Sequence, residues 1–159
     1  MRPARRLYLI PIILFLAAPA AAQVEKVAMT TTGISCGVCA AMSEIYLRQL
    51  KTIDQIAISL SKEAVIVTYK SGAVFQPQDL RQALMKTDVG VMQFQIRARG
   101  RVRDEAGKRF FLADKDRFAL VSSPAASQVA ANVEILVEGI VDDKTAPMNL
   151  KILAVKTVK

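Results

Sequence analysis

Residues 33–39 read GISCGVC and contain the only two cysteines of the chain, Cys36 and Cys39. The residues before this motif, 24–32, are typical of a strand, and the residues after it, 40–50, are typical of a helix. We therefore expect the two thiols on a loop that opens a helix, where two sulfurs can converge on one soft ion. The N-terminus of a helix favours negative charge, so this position favours the thiolate form that binds metal.

The first 22 residues have the pattern of a secretory signal peptide. A basic start with three arginines is followed by the apolar residues 7–18 and by three alanines at 20–22. A transmembrane helix needs about 20 apolar residues, whereas residues 7–22 supply 16 and include two prolines. We expect cleavage after Ala22 and a periplasmic or secreted protein, with an uncleaved N-terminal anchor as the alternative.

Charge and composition exclude several classes of function. Loss of residues 1–22 removes three arginines and lowers the net charge from +8 to +5, which is ordinary for a soluble protein and does not favour nucleic-acid binding. The chain has no histidine, which excludes Ser-His-Asp and Cys-His catalysis and the zinc sites that contain histidine. It also has no phosphate-binding loop and no nucleophile elbow, so we expect a protein that is not an enzyme.

The pattern along residues 23–102 predicts the order βαββαβ. Residues 53–60 and 64–69 have the pattern of a β-hairpin, Pro77 stands at the first position of a second helix, and residues 92–102 form another strand. This is a split-βαβ or ferredoxin-like layout, with two helices on one face of a four-stranded sheet. The apolar positions expected to face inward from the first helix are Ile45, Leu47 and Leu50.

With the motif GISCGVC in this element order, residues 24–96 resemble the heavy-metal-associated domain family. That family includes copper chaperones, the soluble modules of copper-transporting ATPases and the periplasmic mercury-binding protein. The resemblance rests on the family motif G-M-T/S-C-x-x-C, on the spacing to the hairpin at 55–69 and on the segment PQDLRQAL at 77–84.

The resemblance implies that Cys36 and Cys39 are metal ligands for Cu(I), Hg(II) or, less securely, Zn(II). It also implies a metal-donor or metal-acceptor protein as partner, such as a membrane metal transporter. The chain departs from the family at Ile34, which replaces an inward-facing methionine, and at Ser43, which replaces an apolar core residue and suggests local repacking. Lys86 either approaches the thiolates or lies in solvent at a helix C-terminus.

The last third of the chain predicts an all-β unit. Five strand-like segments occur, with a short helix-like piece in the small-residue stretch 124–131, and their number and spacing resemble an OB-type Greek-key barrel. The expected fold class is therefore α+β, with a ferredoxin-like domain at 23–96 followed by a small OB-like barrel at 97–159. The strand at 92–102 is expected to serve both.

Other residues that can carry chemistry have simpler structural interpretations. Arg97, Arg99, Arg101 and Arg103 alternate with apolar residues, and we expect a solvated face partly paired with acids of neighbouring strands. The acidic pairs at 104–105 and 142–143 fall in predicted turns, where solvated carboxylates are expected. Core packing is expected for Met29, Met42, Met85 and Met92, with Met42 as the one candidate for a third sulfur ligand.

Three functions of different class fit the CxxC pair. A metal-binding module needs only two sulfurs for nearly linear Cu(I) or Hg(II), whereas tetrahedral zinc needs two further ligands that this chain does not offer as cysteine or histidine. A thiol-disulfide oxidoreductase also carries CxxC at a helix start, but no tryptophan precedes it here and a hairpin replaces the parallel crossover of a thioredoxin fold. The third is an envelope adaptor that acts through the barrel. A purely structural disulfide closing so short a loop adds little stability.

Overall fold

The computed structural model describes residues 23–158. The predicted signal peptide, residues 1–22, lies outside the described residues, as does residue 159. The elements in chain order are β1 (Gln23–Thr32), α1 (Gly37–Arg48), β2 (Ile53–Ser59), β3 (Ala64–Tyr69), α2 (Pro77–Met85), β4 (Gly90–Glu105), β5 (Lys108–Ala113), β6 (Asp116–Leu120), α3 (Pro124–Ser127), β7 (Glu134–Asp142) and β8 (Met148–Thr157).

The first six elements have the predicted βαββαβ order. Strand β1 lies between β3 and β4, β2 flanks β3, and all three pairings are antiparallel. Helix α1 packs against α2 and β2, and α2 packs against β4. The predicted α+β class and the order of these elements are therefore confirmed for this half of the chain.

The inner face of this sheet is apolar because alternate residues of each strand point to the same side. The apolar residues that point inward from the strands pack with apolar residues of both helices in one buried cluster. Its members here include Val27, Met29, Val65, Val67, Phe94, Leu47, Leu80 and Leu84.

The inner face of α1 differs from the predicted one. Leu47 is fully buried and Leu50 is partly buried, but Ile45 is exposed. The residue that precedes Leu47 on the inner face is Ser43, which is also fully buried. The spacing of 43, 47 and 50 sets this face because residues three and four apart lie on one side of a helix, and Ile45 falls outside that series.

Strand β4 connects the two halves of the molecule. It is 16 residues long and pairs along one edge with β1 from Gly90 to Arg99 and then with β5 from Arg101 to Glu105. Its other edge pairs with β7 from Phe94 to Arg101. The predicted division at 96/97 thus falls inside a strand that is hydrogen-bonded to neighbours on both sides of that point.

Strands β4 to β8 pair in a cycle. The neighbours run β4, β5, β6, β8, β7 and back to β4, and the β6–β8 pair is parallel while the others are antiparallel. Gly100 permits close packing within this cycle, because a Cβ at that position would overlap the carbonyl oxygen of Leu112. Helix α3 occupies the connection between β6 and β7, where a short helix-like piece was predicted.

One hydrophobic core extends from the ferredoxin-like half into the strand cycle. Phe75, in the loop before α2, packs edge-on to Phe94 with ring centroids 5.8 Å apart, and its ring centroid is 6.3 Å from that of Phe118 on β6. The ring centroid of Phe118 in turn lies 6.5 Å from that of Phe111 on β5.

Within residues 23–158, the helices lack the combination of length and apolarity that crossing a bilayer requires.

Candidate metal centre

The loop that carries the cysteines starts with a tight backbone contact. Gly33 has a φ of +91°, and a Cβ at this position would lie 2.8 Å from the carbonyl oxygen of Asp88. Glycine is therefore required both for the backbone conformation and for the close approach of the turn after α2. Ile34 is fully buried, so the residue that replaces the family methionine points inward, as expected.

Cys36 is the N-cap of α1. Its backbone is extended, with φ −138° and ψ 155°, and its Sγ accepts a hydrogen bond from the Cys39 N–H at 3.1 Å. Its carbonyl oxygen accepts the first helical hydrogen bond, from Ala40 N–H, at 3.1 Å. The sulfur thus occupies the position at which a helix N-terminus stabilises negative charge.

The structure brings the two predicted site residues together. The Cα atoms of Cys36 and Cys39 are 5.2 Å apart, and their sulfurs are bonded to each other as a disulfide. Cys36 is exposed and Cys39 is partly exposed. Reduction of this bond would leave two adjacent, accessible thiols on the first turn of α1, and both would lose a proton on binding a metal.

The available donor set is small. Among residues 23–158, no three His, Cys, Asp or Glu side chains lie close enough to form a metal site. Two thiolates can hold an ion that accepts nearly linear coordination, and a closed tetrahedral zinc site needs four ligands. The residues present therefore fit a soft, two-coordinate ion, and the donor set does not complete a structural zinc site.

Ser43 and Thr87 fasten α1 to the turn after α2. Their hydroxyl oxygens are 2.8 Å apart, and the Thr87 hydroxyl also donates to the Leu84 carbonyl at 2.9 Å. A polar pair thus fills the position where an apolar residue is usual in the resembled family, and the hydrogen bond offsets the cost of burying the hydroxyl groups.

Lys86 makes a cation–π contact. Its Nζ lies 5.0 Å from the ring centroid of Tyr46 on α1. Lys86 is also exposed at the C-terminus of α2, which agrees with the second of its two predicted roles.

Three of the four methionines differ from the prediction. Met29 is buried in the core, as expected, whereas Met42, Met85 and Met92 are exposed. Met42 lies on α1 one turn after Cys39, and Met92 lies at the start of β4. Sequence composition does not separate these cases because methionine is tolerated in both environments.

The arginine face of β4 is paired with acids as predicted. Arg97 and Arg99 both approach Glu25 of β1, at 3.6 and 3.3 Å, and Arg101 approaches Glu134 of β7 at 3.7 Å. These partners come from the two strands that flank β4. The arrangement fits an ion-paired outer sheet face and gives no reason to assign a nucleic-acid site.

Asp143 is the member of the predicted acidic pairs that is less solvated than expected, whereas Asp104 and Asp142 are exposed. Asp143 forms a two-point ion pair with Arg81 of α2, at 2.8 and 2.9 Å, and its side chain is 6% exposed. This pairing lowers the pKa of Asp143 and raises that of Arg81. Asp104 and Glu105 pair with Arg109 and Arg117. Asp143 lies in a turn as predicted, but its burial was not predicted because its cation comes from another element.

Asp116 is a buried carboxylate that sequence analysis missed. Both of its oxygens accept from the Phe75 N–H at 3.1 Å. Burial raises its pKa to about 6, although the hydrogen bond from Phe75 acts in the opposite direction. Burial and the nearby Asp116 also raise the pKa of Tyr69. A signal was available, because Asp116 follows Asp114-Lys115 at the turn between two strands, but nothing in the sequence indicates that Phe75 lies opposite.

No family model matches the chain, and no curated protein matches it. Among solved structures, the chain is similar to a CopZ metallochaperone, with 19% identity over 42% of this chain and 98% of that one and a TM-score of 0.39. It is similar to the N-terminal domain of ZntA in the apo form, with 20% identity over 44% and 92% and a TM-score of 0.39. It is also similar to the yeast copper transporter domain Ccc2A, solved in apo and Cu(I)-loaded states, with 21% identity over 43% and 94% and a TM-score of 0.37.

These similarities cover 42%, 44% and 43% of this chain. The function proposed below rests on the residues of this chain.

Proposed function

We propose that this protein binds one soft metal ion between the thiolates of Cys36 and Cys39 and carries, transfers or buffers it. The observation that supports this most is the convergence of both sulfurs on the exposed first turn of α1, with Cys36 Sγ accepting the Cys39 N–H. A helix N-terminus stabilises the negative charge of a bis-thiolate, and the exposed sulfurs leave room for an incoming ligand.

Cu(I) is the first candidate for the ion. Soft thiolates select Cu(I) over harder divalent ions, and two of them satisfy its preference for low coordination. Hg(II) fits the same two sulfurs. Zn(II) requires further ligands, which would have to come from solvent or a partner, since no third His, Cys, Asp or Glu joins the pair among the described residues.

Metal binding and disulfide formation use the same two atoms. The bonded pair of Cys36 and Cys39 is the oxidised form, and a disulfide sulfur is a poor substitute for a thiolate ligand. We propose that reduction opens the site and that oxidation closes it. The rest of the fold contains no other cysteine that can exchange with it.

A thiol-disulfide oxidoreductase is the second candidate. The accessible Cys36–Cys39 bond at a helix N-terminus favours it, since this is also the arrangement of a redox-active CxxC. The chain has no tryptophan, and β2 and β3 form an antiparallel hairpin after α1, where a thioredoxin fold has a parallel crossover. These features favour the metal module, with a non-enzymatic role.

The location and the partner follow from two further features of the chain. A basic start followed by an apolar stretch supports export to the periplasm or secretion. A two-coordinate ion at an exposed site can accept a third thiolate, so the proposed partner is a metal-donor or metal-acceptor protein, such as a membrane transporter.

We further propose that strands β4 to β8 form an OB-type barrel that serves as a second domain. Support comes from the cyclic pairing of five strands, from the parallel β6–β8 pair and from α3 between the third and fourth strands of the group. Because β4 belongs to both halves, this unit is expected to hold the metal loop in a fixed orientation. An adaptor role in an envelope assembly is the remaining candidate for it.

The proposal is tested by anaerobic Cu(I) titration of the mature chain against a competing chelator. One Cu(I) should bind per reduced chain, and Cys36→Ser or Cys39→Ser should each abolish tight binding because each cysteine supplies half of the site. Met42→Leu is the matched control, since it removes the nearest candidate thioether and retains the size of the side chain. Oxidised protein should bind no Cu(I).

Insulin reduction by the same samples separates the two candidate functions. Negligible turnover together with one bound Cu(I) supports the metal module. Rapid turnover with little copper uptake would assign the protein to the oxidoreductases. Near-native affinity in either single serine variant would show that the ligands are wrongly assigned.

A further inference from the structure

The helix that carries the cysteines has an exposed apolar face. Val38, Met42 and Ile45 are 74%, 39% and 51% exposed, and we call these three residues the α1 stripe. They are spaced four and three residues apart, so they lie along one side of α1. Exposed apolar side chains that form a contiguous patch, unlike those scattered singly, mark an interaction surface.

The stripe begins at the metal-binding turn. Val38 lies between Cys36 and Cys39 in sequence, and Met42 follows Cys39 by three residues. A partner that delivers or removes an ion must bring its own sulfur into contact with that ion. Any such partner therefore covers the first turns of α1, and with them the start of the stripe.

The segment that carries both cysteines and the start of the stripe is uncharged. Residues 33–43 contain no charged side chain, although the mature chain has a net charge of +5. The first charged residue of α1, Glu44, is paired with Arg48 at 2.6 Å. Lys86 lies over the Tyr46 ring, and Asp88 is the exposed acid of the turn packed against Gly33.

From this arrangement we infer that the α1 stripe is the docking surface for a protein whose own metal-binding cysteines are framed by uncharged, apolar side chains. The inference rests on the proposed metal-transfer function. Contact is driven by burial of the three stripe residues, and long-range attraction between charges contributes little.

The exchange itself conserves charge and oxidation state. A thiolate of the acceptor adds to the bound Cu(I) as a third ligand, and the bond from copper to one of Cys36 and Cys39 then breaks. The second acceptor thiolate adds in the same way, and the bond to the remaining cysteine breaks. Copper remains Cu(I) throughout. The proton that the acceptor thiol releases is balanced by the proton that the freed cysteine takes up.

Transfer to synthetic acceptors tests this surface. Three peptides of equal length carry the same CxxC, flanked by leucine and valine in the first, by lysine in the second and by glutamate in the third. The Cu(I)-loaded mature chain is mixed with each peptide, and the transfer rate is measured by stopped flow at low and high salt. Dithiothreitol serves as an acceptor that needs no docking.

The stripe variant Val38→Thr/Met42→Gln/Ile45→Thr changes only exposed side chains. It should pass Cu(I) to the apolar peptide about tenfold more slowly than the wild type, with no change toward dithiothreitol. The control Leu153→Gln alters an exposed apolar residue of β8 and should leave both rates unchanged. The wild type should prefer the apolar peptide at both salt concentrations, since apolar contact is not screened.

Several outcomes would overturn the inference. Equal rates for wild type and stripe variant would show that the stripe is not used, and faster transfer to either charged peptide would show recognition by charge. A dimer of the loaded chain that the stripe variant abolishes would show that a second copy covers the stripe. Failure of the chain to load Cu(I) would overturn the proposed function and this inference together, whereas normal loading with equal rates overturns the inference alone.

Discussion

The first half of the molecule and the cycle of strands β4 to β8 differ in where their polar chemistry lies. The first half carries both cysteines on an exposed loop, and residues 33–43 around them are uncharged. The strand cycle has no cysteine or histidine. Several of its arginines and carboxylates form ion pairs, and one carboxylate, Asp116, is buried. The two candidate metal ligands thus lie in the first half, and the strand cycle contributes no cysteine or histidine to them.

Three features join the two halves of the molecule. Strand β4 is common to both, Phe75 packs against Phe94 and Phe118, and Arg81 pairs with Asp143. These links predict that the halves unfold together. The following experiments test that cooperativity, beginning with the largest expected effect.

Phe118→Ala should destabilise the whole chain. Phe118 is fully buried and contacts Phe75 and Phe111, so its removal leaves a cavity and is expected to lower the free energy of unfolding by about 3–5 kcal/mol. Urea unfolding followed by far-UV circular dichroism, and by tyrosine fluorescence from Tyr46 and Tyr69 in the first half, should give one shared midpoint for both probes. Separate midpoints would contradict a common core.

Asp116→Asn should change the pH dependence of stability. The folded-state pKa of about 6 is raised above the ordinary value of 3.8, so the protonated form is favoured in the folded state. The stabilising contribution is full below pH 3.8 and is lost as pH rises through 6. At pH 7 the asparagine variant should therefore be more stable than the wild type by roughly 1–3 kcal/mol, and near pH 4 the two should converge.

Urea midpoints measured across pH 4 to 7 check this prediction, with Asp54→Asn, at an exposed aspartate of β2, as control. A wild type that gains stability relative to Asp116→Asn as the pH rises would have the opposite sign and would contradict the assignment.

Breaking the ion pair between Arg81 and Asp143 should weaken the link between α2 and the β7–β8 connection. A double-mutant cycle with Arg81→Ala and Asp143→Ala is expected to give a coupling of about 1–3 kcal/mol, because Asp143 is almost fully buried. The pKa of Asp143 is lowered, so this contribution is present above its unfolded value and is lost as pH falls through the folded value.

The exposed pair Glu44–Arg48 on α1 is the matched control, with an expected coupling of about 0.3–0.5 kcal/mol. Equal couplings for the two pairs would mean that burial of Asp143 does not strengthen its interaction.

Ser43→Ala should have the smallest effect. It removes one hydrogen bond to Thr87, while Thr87 keeps its bond to the Leu84 carbonyl, so the loss is expected to be about 0.5–1.5 kcal/mol. Cu(I) affinity should change little, because the substitution leaves both cysteines at the start of α1. A large loss of affinity would show that the α1–Thr87 contact positions the cysteines.

The success of sequence reasoning follows the range of the interactions. The order βαββαβ and the position of Cys36 at a helix start depend on local periodicity and on a short motif, and both are observed. The partners of Asp143 and Asp116 lie in other parts of the chain, and the burial of these two carboxylates was not predicted. The predicted burial of Ile45 and of the exposed methionines was wrong for a related reason. Apolar character alone does not say which side of a helix or strand is covered by other residues.

The sequence by itself determined the type and spacing of the two sulfur ligands, the glycine needed beside them and the succession of strands and helices. These properties depend on residues within one or two turns of each other. Only the tertiary structure decided that Arg81 neutralises a buried carboxylate 62 residues away and that the α1 stripe stays uncovered beside the cysteines. Such features depend on which surfaces meet when the sheet closes, and that information is not present in any local segment.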